Sequence, residues 1–311
     1  MNRLPITADA SLCGRTAESV ITHELMASDT YLRRLKTLPL GISVNGAHAR
    51  STYRLALGDV LSIQLSDPEE GRPKGKAAKL DILYEDEWLI IINKSAGIAV
   101  HSSTNEPNMD TVEDALYAYL PRDERPHPVS RLDRGTTGTM TVAKCGYMHA
   151  LMKRIMEQGQ FEKRYLAILS RVPEKAEGII DAPIGMAENS HYKRAVRPDG
   201  SPAVSKYRVL STFNSIALCE LHPRTGRTHQ LRVHMAHIGC PLLGDWLYGE
   251  GSPLIARPAL HAERVAFTHP LTGEYICVHA PMAEDMEGAN TRLTISGRIS
   301  APYQLSAIRK S

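Results

Sequence analysis

No apolar run in the 311-residue chain approaches the roughly 20 residues that span a bilayer, and its opening, MNRLPITADASLCGR, has no signal-peptide core. A cytoplasmic protein without a membrane partner is the expectation. Cysteine is sparse and scattered: Cys13, Cys145, Cys219, Cys240 and Cys277 are odd in number and never spaced C-x-x-C. That argues against a disulfide framework and a structural zinc site, and fits reduced thiols. Neither G-x-G-x-x-G nor G-x-x-x-x-G-K-[ST] occurs, which removes support for nucleotide-cofactor folds. H-E-x-x-H is missing too. His234 and His237 share a helical face, but His229 precedes His234 by five residues, about 140° away around a helix. The reading is therefore no metal and no cofactor.

Net charge is small, +3, but unevenly distributed. His127–Cys240 holds 17 Lys and Arg against 9 Asp and Glu, a local excess of +8, while the remainder carries −5. A basic middle in a near-neutral chain suits a polyanion gripped by one face. Hydrophobic residues at 42% and charged residues at 23% are ordinary for a folded protein, and the length allows one large domain plus a small one.

SDPEEGRPKGKAAK, residues 66–79, lacks apolar periodicity and reads as a linker. Before it, residues 1–65 form a module too small to be very stable alone. Ser19–Met26 and Thr30–Leu38 read as short helices, ISVNG as a strand entering an Asn-Gly turn, and YRLALGDVLSIQL as a turn at Gly58-Asp59 with a closing strand. After the linker, LDILYEDEWLIIINKS reads as two strands, the second nearly all apolar and so buried. Asp110–Leu120 reads as a helix with Asp110 and Glu113 as a capping box and an apolar face that includes Tyr119; Pro121 ends it. TMTVAK is a strand. GYMHALMKRIMEQG is a helix with Met148, Leu151, Met152 and Ile155 inward, closed by Gly159. KRYLAIL, SKYRVLSTF and SIALCELH are further strands. The class is α+β, with a mixed, largely antiparallel sheet and flanking helices over residues 80–284. Residues 285–311 are weakly patterned and read as a tail, partly disordered.

Three stretches carry candidate chemistry. In HPVSRLDRGTTG, Asp133 lies between Arg131 and Arg134 on a loop before a strand, where Gly135 and Gly138 permit a sharp path. In FEKRYLAIL, Tyr165 follows two basic residues; packing is the ordinary role of a strand tyrosine. In HPRTGRTHQLRVHMAHIGCPLLGD, Thr228 reads as the N-cap of a helix stopped by Gly239. His229 and Arg232 fall on one face of it, with Arg224 and Arg227 just before its N-terminus, a natural place for phosphate or carboxylate.

HPVSRLDRGTTGTMTVAK, KRYLAIL, RTGRTHQLRVHMAHIGCPLLGDWLYG and LHAERVAFTHPLTGE, in that order and with NKSAGIAVHSS ahead of them, resemble the RluA-like pseudouridine synthases from about Leu80 to Pro281. The resemblance implies the pseudouridine synthase fold and cofactor-free isomerisation of uridine in RNA. It implies Asp133 as the catalytic aspartate and Arg232 as the arginine pairing with it. Tyr165 would be the tyrosine that packs on the uracil and helps remove its carbon-5 proton. Arg131 matches an arginine that in some relatives fills the space of the flipped base, and Arg134, Arg224, Arg227 and His229 become RNA-binding candidates. LRRLKTLPLGISVNG with YRLALGDVLSI resembles the small RNA-binding module named after ribosomal small-subunit protein four, which would put Arg33, Arg34 and Lys36 on RNA phosphates. The implied partner is RNA, ribosomal in preference to transfer RNA, and no protein partner follows. Ser130, Ser95 and Ser201 depart from the family pattern, where histidine, proline and lysine are usual; they bear on substrate choice more than on reaction type.

Overall fold

The computed structural model describes residues 3–65, 73–102 and 109–295. The N-terminal module runs β1 (Arg3–Thr7), α1 (Ala17–His23), α2 (Asp29–Thr37), β2 (Ile42–Val44), β3 (Ala47–His48) and β4 (Val60–Gln64). The larger part follows as β5 (Ile82–Glu85), β6 (Leu89–Lys94), α3 (Val112–Tyr119), β7 (His127–Pro128), β8 (Thr137–Ala143), α4 (Gly146–Glu157), β9 (Phe161–Leu169), β10 (Glu177–Asp181), β11 (Ile184–Met186), β12 (Arg194–Val196), β13 (Val204–Phe213), β14 (Ile216–Pro223), α5 (Gln230–His237), β15 (Leu260–Thr268), β16 (Tyr275–His279) and α6 (Glu284–Ile295). The α+β class holds. No helix among the described residues is long and apolar enough to cross a membrane.

The module's four strands pair in the order β1-β4-β2-β3, all antiparallel. Asn45 and Gly46, at φ 51° and 81°, make the two-residue turn that the Asn-Gly pair demands. Thr16 and Ser28 cap the two helices, each side chain accepting from a backbone N–H three residues on. Strand β1 was not legible in RLPIT, because Pro5 cannot donate to a ladder; it is tolerated because β1 is an edge strand.

The module does not stand apart. Val20, Ile21, Leu35 and Leu61 share one buried cluster with Trp88, Leu89, Met148 and Phe267. At its centre the rings of Tyr31 and Tyr147 lie 5.6 Å apart at 47°. Tyr147 donates its hydroxyl to Leu25 O at 2.6 Å, and Tyr31 donates to Gln64 O at 2.8 Å, so both polar ends are satisfied inside the apolar contact. Of the expected linker, residues 66–72 lie outside the described residues. The rest is no free tether: Lys76 N donates to Asp114 O at 3.0 Å and its ammonium meets Asp110 at 2.5 Å. Lys76 draws Asp110 away from capping, so α3 starts one residue later than its sequence predicts, with Thr111 and Asp114 as the capping box. Tyr119 is exposed and donates to Glu85 instead of joining the core.

The main sheet runs β10-β13-β14-β9-β15-β8-β6-β5, with β16 added to β15 and β7 to β8. Among the described strands only β8 and β15 pair in parallel, over two residue pairs. Strand β15 holds the middle: one edge pairs β9, and the other is divided between β8 and β16. A second apolar cluster, including Ile90, Met140, Val142, Tyr165, Leu221 and Leu231, underlies the sheet face that carries α5. The expected tail begins as helix α6, whose Met286 and Ala289 are buried against Ile168 and Leu218; residues 296–311 lie outside the described ones.

Because the module and the sheet share one core, urea should unfold the chain in a single transition seen alike by far-ultraviolet and tyrosine signals. Tyr147→Phe, which loses one buried hydrogen bond, should cost about 1–2 kcal/mol in that same transition. A separate early step for the module would contradict a shared core.

Candidate active site

Asp133 lies on the loop between β7 and β8, and that loop is pinned at successive carbonyls. Thr136 N donates to Asp133 O at 2.9 Å, closing a turn. Fully buried Lys94 donates to Ser95 O at 2.8 Å, Ile98 O at 2.9 Å and Arg134 O at 3.3 Å. Burial pushes its ammonium down to about 8, with the charge of Asp133 resisting. Arg257 donates to Gly135 O at 2.9 Å, while Asp285 of α6 takes two of its nitrogens at 2.7 and 2.6 Å. Gly138, the second residue of β8, at φ 107°, runs so close to β15 that a Cβ would sit 2.2 Å from Ala262 O; only glycine fits.

Arg232, from α5, faces Asp133 but is not primarily its partner. Its Nε and Nη2 form a two-pronged pair with Asp245, both at 2.8 Å, and its Nη1 stands 3.5 Å from Asp133 Oδ2. Asp245 is fully buried and also accepts from the backbone N–H groups of Leu247 and Tyr248. Burial works to lower the Arg232 pKa, but hydrogen bonding and charge from Asp245, then the charge of Asp133, raise it overall. The guanidinium also lies 5.0 Å from the centroid of the Tyr248 ring. The family resemblance implies a simple pair, Asp133 with Arg232; the structure has a chain, Asp245–Arg232–Asp133.

His229 adds a second donor. It is the true N-cap of α5, at φ 57°, with no side-chain capping bond, so the expected cap at Thr228 is displaced by one residue. Gln230 ties the turn instead, its Oε1 accepting from Thr225 Oγ1 at 2.7 Å and Arg227 N at 3.0 Å. The left-handed backbone aims the His229 ring inward, Nε2 standing 4.0 Å from Asp133 Oδ2 and Nδ1 2.9 Å from the Tyr248 hydroxyl. The Arg194 N–H already donates to that hydroxyl oxygen at 2.9 Å. The tautomer in which Tyr248 donates its hydroxyl hydrogen to Nδ1 turns an Nε2–H toward the carboxylate. Burial lowers the His229 pKa against the pull of Asp133, favouring the neutral ring.

Tyr165 comes from β9 and lines the same pocket, buried, with its pKa raised by burial and then by Asp133. Asp133, Tyr165, Arg232, Arg131, Arg227 and His229 therefore meet at one cleft. Arg134 borders the adjoining groove, its Nε donating to Gly97 O at 2.9 Å. Arg224 is exposed and lines neither space. Arg33, Arg34 and Lys36 also lie off the cleft, on α2: Lys36 pairs with Glu18 at 2.9 Å, and Arg34 lies 5.6 Å from the centroid of the Tyr31 ring. Among the departures, Ser130 lines the groove, Ser95 offers its carbonyl to Lys94, and Ser201 pairs through its backbone with Ile184.

Among the described residues no three His, Cys, Asp or Glu side chains gather as metal ligands. Buried His234, tempting in sequence, is spent on Ser205 Oγ and Ala182 O, each at 2.9 Å. Sequence reasoning gave no role to Asp245, Tyr248, Lys94 or Arg257. The first two stood in view as the D-x-x-Y of GDWLYG, but nothing local says that this carboxylate faces an arginine 13 residues earlier.

With the geometry in place, residues 88–237 match the family model described as RNA pseudouridylate synthase. The chain is similar to the RNA pseudouridine synthase YjbO of Bacillus subtilis, at 38% identity over 85% of this chain and 94% of that protein. It is also similar to ribosomal large subunit pseudouridine synthase D of Haemophilus influenzae, at 36% identity over 73% of this chain and 75% of the other. The solved structure of human RNA pseudouridylate synthase domain containing 4 superposes with a TM-score of 0.56 at 28% identity, over 68% of this chain and 92% of that one.

The two carboxylates on Arg232 should separate by mutation. Asp245→Ala leaves a buried guanidinium without its main partner and should cost about 3–5 kcal/mol of stability. Asp133→Asn alters only the longer contact at a half-buried position and should cost less than about 1 kcal/mol. Chemical denaturation of both variants checks this; equal losses would mean that Asp133 is the structural partner.

Proposed function

This chain belongs to the RNA pseudouridylate synthase family, and from that premise we propose that it isomerises specific uridines of large-subunit ribosomal RNA, with Asp133 as the catalytic carboxylate. The observation that carries the reading is a half-buried carboxylate aimed into a cleft between an arginine clamped from behind and a buried tyrosine, with further cations on the rim.

The reaction breaks the bond from C1′ to N1, turns the uracil, and joins C1′ to C5; the C5 hydrogen leaves and N1 gains one. Nothing is oxidised and no water is consumed. What the protein must supply is an ionised carboxylate near the sugar, by attack at C1′ or removal of the neighbouring sugar proton, and a surface for the freed base. Arg232 Nη1, at 3.5 Å, and the His229 ring, at 4.0 Å, face that charge from α5. Tyr165 offers a flat face to a base drawn out of its stack. Burial and the nearby Asp133 charge keep its phenol in the neutral form, and packing against the base is the role we assign it.

Support for a ribosomal target comes from the name of the Haemophilus relative and from the N-terminal module, whose exposed Arg33 would add affinity for a structured RNA. Turnover should need no metal, consistent with carboxylate chemistry. Tritium release from uracil labelled at C5 should be seen with wild type on unmodified large-subunit transcripts, in EDTA, and fall at least about a thousandfold for Asp133→Asn, with RNA affinity within a few-fold of wild type. Release from transfer RNA transcripts alone would move the target. Near-normal release by Asp133→Asn would remove the aspartate from the mechanism, and tight binding with no release from any RNA would leave a binding protein on this fold.

A further inference from the structure

Strand β9 brings more than Tyr165 to the cleft. Side chains two apart share a face, so Lys163 projects on the Tyr165 side, about 7 Å along the strand. The intervening Arg164 points the other way and is neutralised there by Glu263 at 2.6 Å and Glu220 at 3.4 Å. Lys163 has no such partner among the described residues. Its ammonium lies beside Gly226, where a Cβ would stand 3.8 Å from Nζ, and it lines both the cleft and the adjoining groove. Arg131 and Arg227 line both spaces as well; among the described residues Arg131 meets no carboxylate, and Arg227 spends its Nε on Pro202 O at 3.0 Å. Among the described residues the one carboxylate along either lining is Asp133, which Arg232 and His229 already face. The cleft therefore holds a surplus of positive charge beside its one negative group, and burial, which lowers the Lys163 pKa, makes that surplus costly until an anion enters.

We propose that Lys163, with Arg131 and Arg227, forms a subsite for a backbone phosphate of the nucleotide whose base packs on Tyr165. The inference rests on the RNA-isomerase reading and adds to it: Lys163 positions the flipped nucleotide by its phosphate, while Asp133 acts on the sugar. A phosphate is the chemistry the site selects, because three cations line one space where a neutral uracil edge would leave them uncompensated. The contact is made in ground state and transition state alike, so it belongs to binding.

The probe is a single-stranded uridine nonamer, which carries phosphates and uracils without a target sequence, titrated by fluorescence anisotropy across salt concentrations. Lys163→Met should weaken binding about tenfold at low salt and make the log–log salt slope shallower by about 0.7, the share of one single-strand phosphate. Lys163→Arg should restore most of both, and Lys153→Met, on the exposed side of α4, should change neither. Lys163→Gln guards against a folding defect in the Met variant. On active transcripts, single-turnover tritium release at saturating enzyme should stay within about threefold of wild type for Lys163→Met. An unchanged slope, or no measurable nonamer binding by wild type, overturns the subsite. An unchanged slope with a collapsed saturating rate places Lys163 on the uracil or sugar and overturns it too. Absence of tritium release by wild type contradicts the isomerase reading alone, since the nonamer slope is read without turnover.

Discussion

A guanidinium shared by two carboxylates of unequal burial sets the terms for this site. Arg232 cannot be buried on α5 without a full counter-charge, and Asp245 supplies it from the turn that follows. With two of its edges fixed there, the third nitrogen has a determined direction, and Asp133 is what it meets. An arginine bound only to Asp133 would quench it as a simple ion pair; one held from behind orients and stabilises the charge while leaving an oxygen for substrate. The same turn positions Tyr248, which fixes the His229 ring, so one buried aspartate organises both groups that face the carboxylate.

The Asp133 loop needs equal restraint, and it comes from distant sequence. Lys94, at the end of β6, and Arg257, ahead of β15, each hold a carbonyl within two residues of Asp133. Arg257 is itself held by Asp285 in α6, so the C-terminal helix is joined to the active-site loop through one charged side chain. The parallel seam between β8 and β15, made possible by Gly138, brings these supports to the same end of the sheet.

Much of this was legible in the sequence where the signal is local. Asn45-Gly46 announced its turn because few other residues accept two consecutive positive φ angles, and the inward face of α4 followed from period and composition. Asp133, Tyr165 and Arg232 were found by resemblance, and the fold does bring them together. What stayed hidden is non-local or depends on competition. Thr228 is a good cap on paper, but Gln230 satisfies the turn and leaves His229 as the cap. Asp110 lost its capping role to Lys76, and the module's docking rests on a tyrosine pair 116 residues apart in sequence. Tail residues with little apolar pattern became α6 because two small contacts and one ion pair suffice against an existing core. Period-two alternation makes Lys163 readable as a partner of Tyr165, but only the structure shows that no carboxylate among the described residues claims it.

The central claim, that Asp133 converts uridine to pseudouridine in ribosomal RNA, is tested most directly in cells. Carbodiimide mapping of all stable RNAs would be compared between cells lacking this chain and the same cells resupplied with wild type or with Asp133→Asn. One or a few pseudouridines of the large-subunit RNA should vanish on deletion and return with wild type alone. Their return with Asp133→Asn, or an unchanged map in every RNA, would contradict the claim.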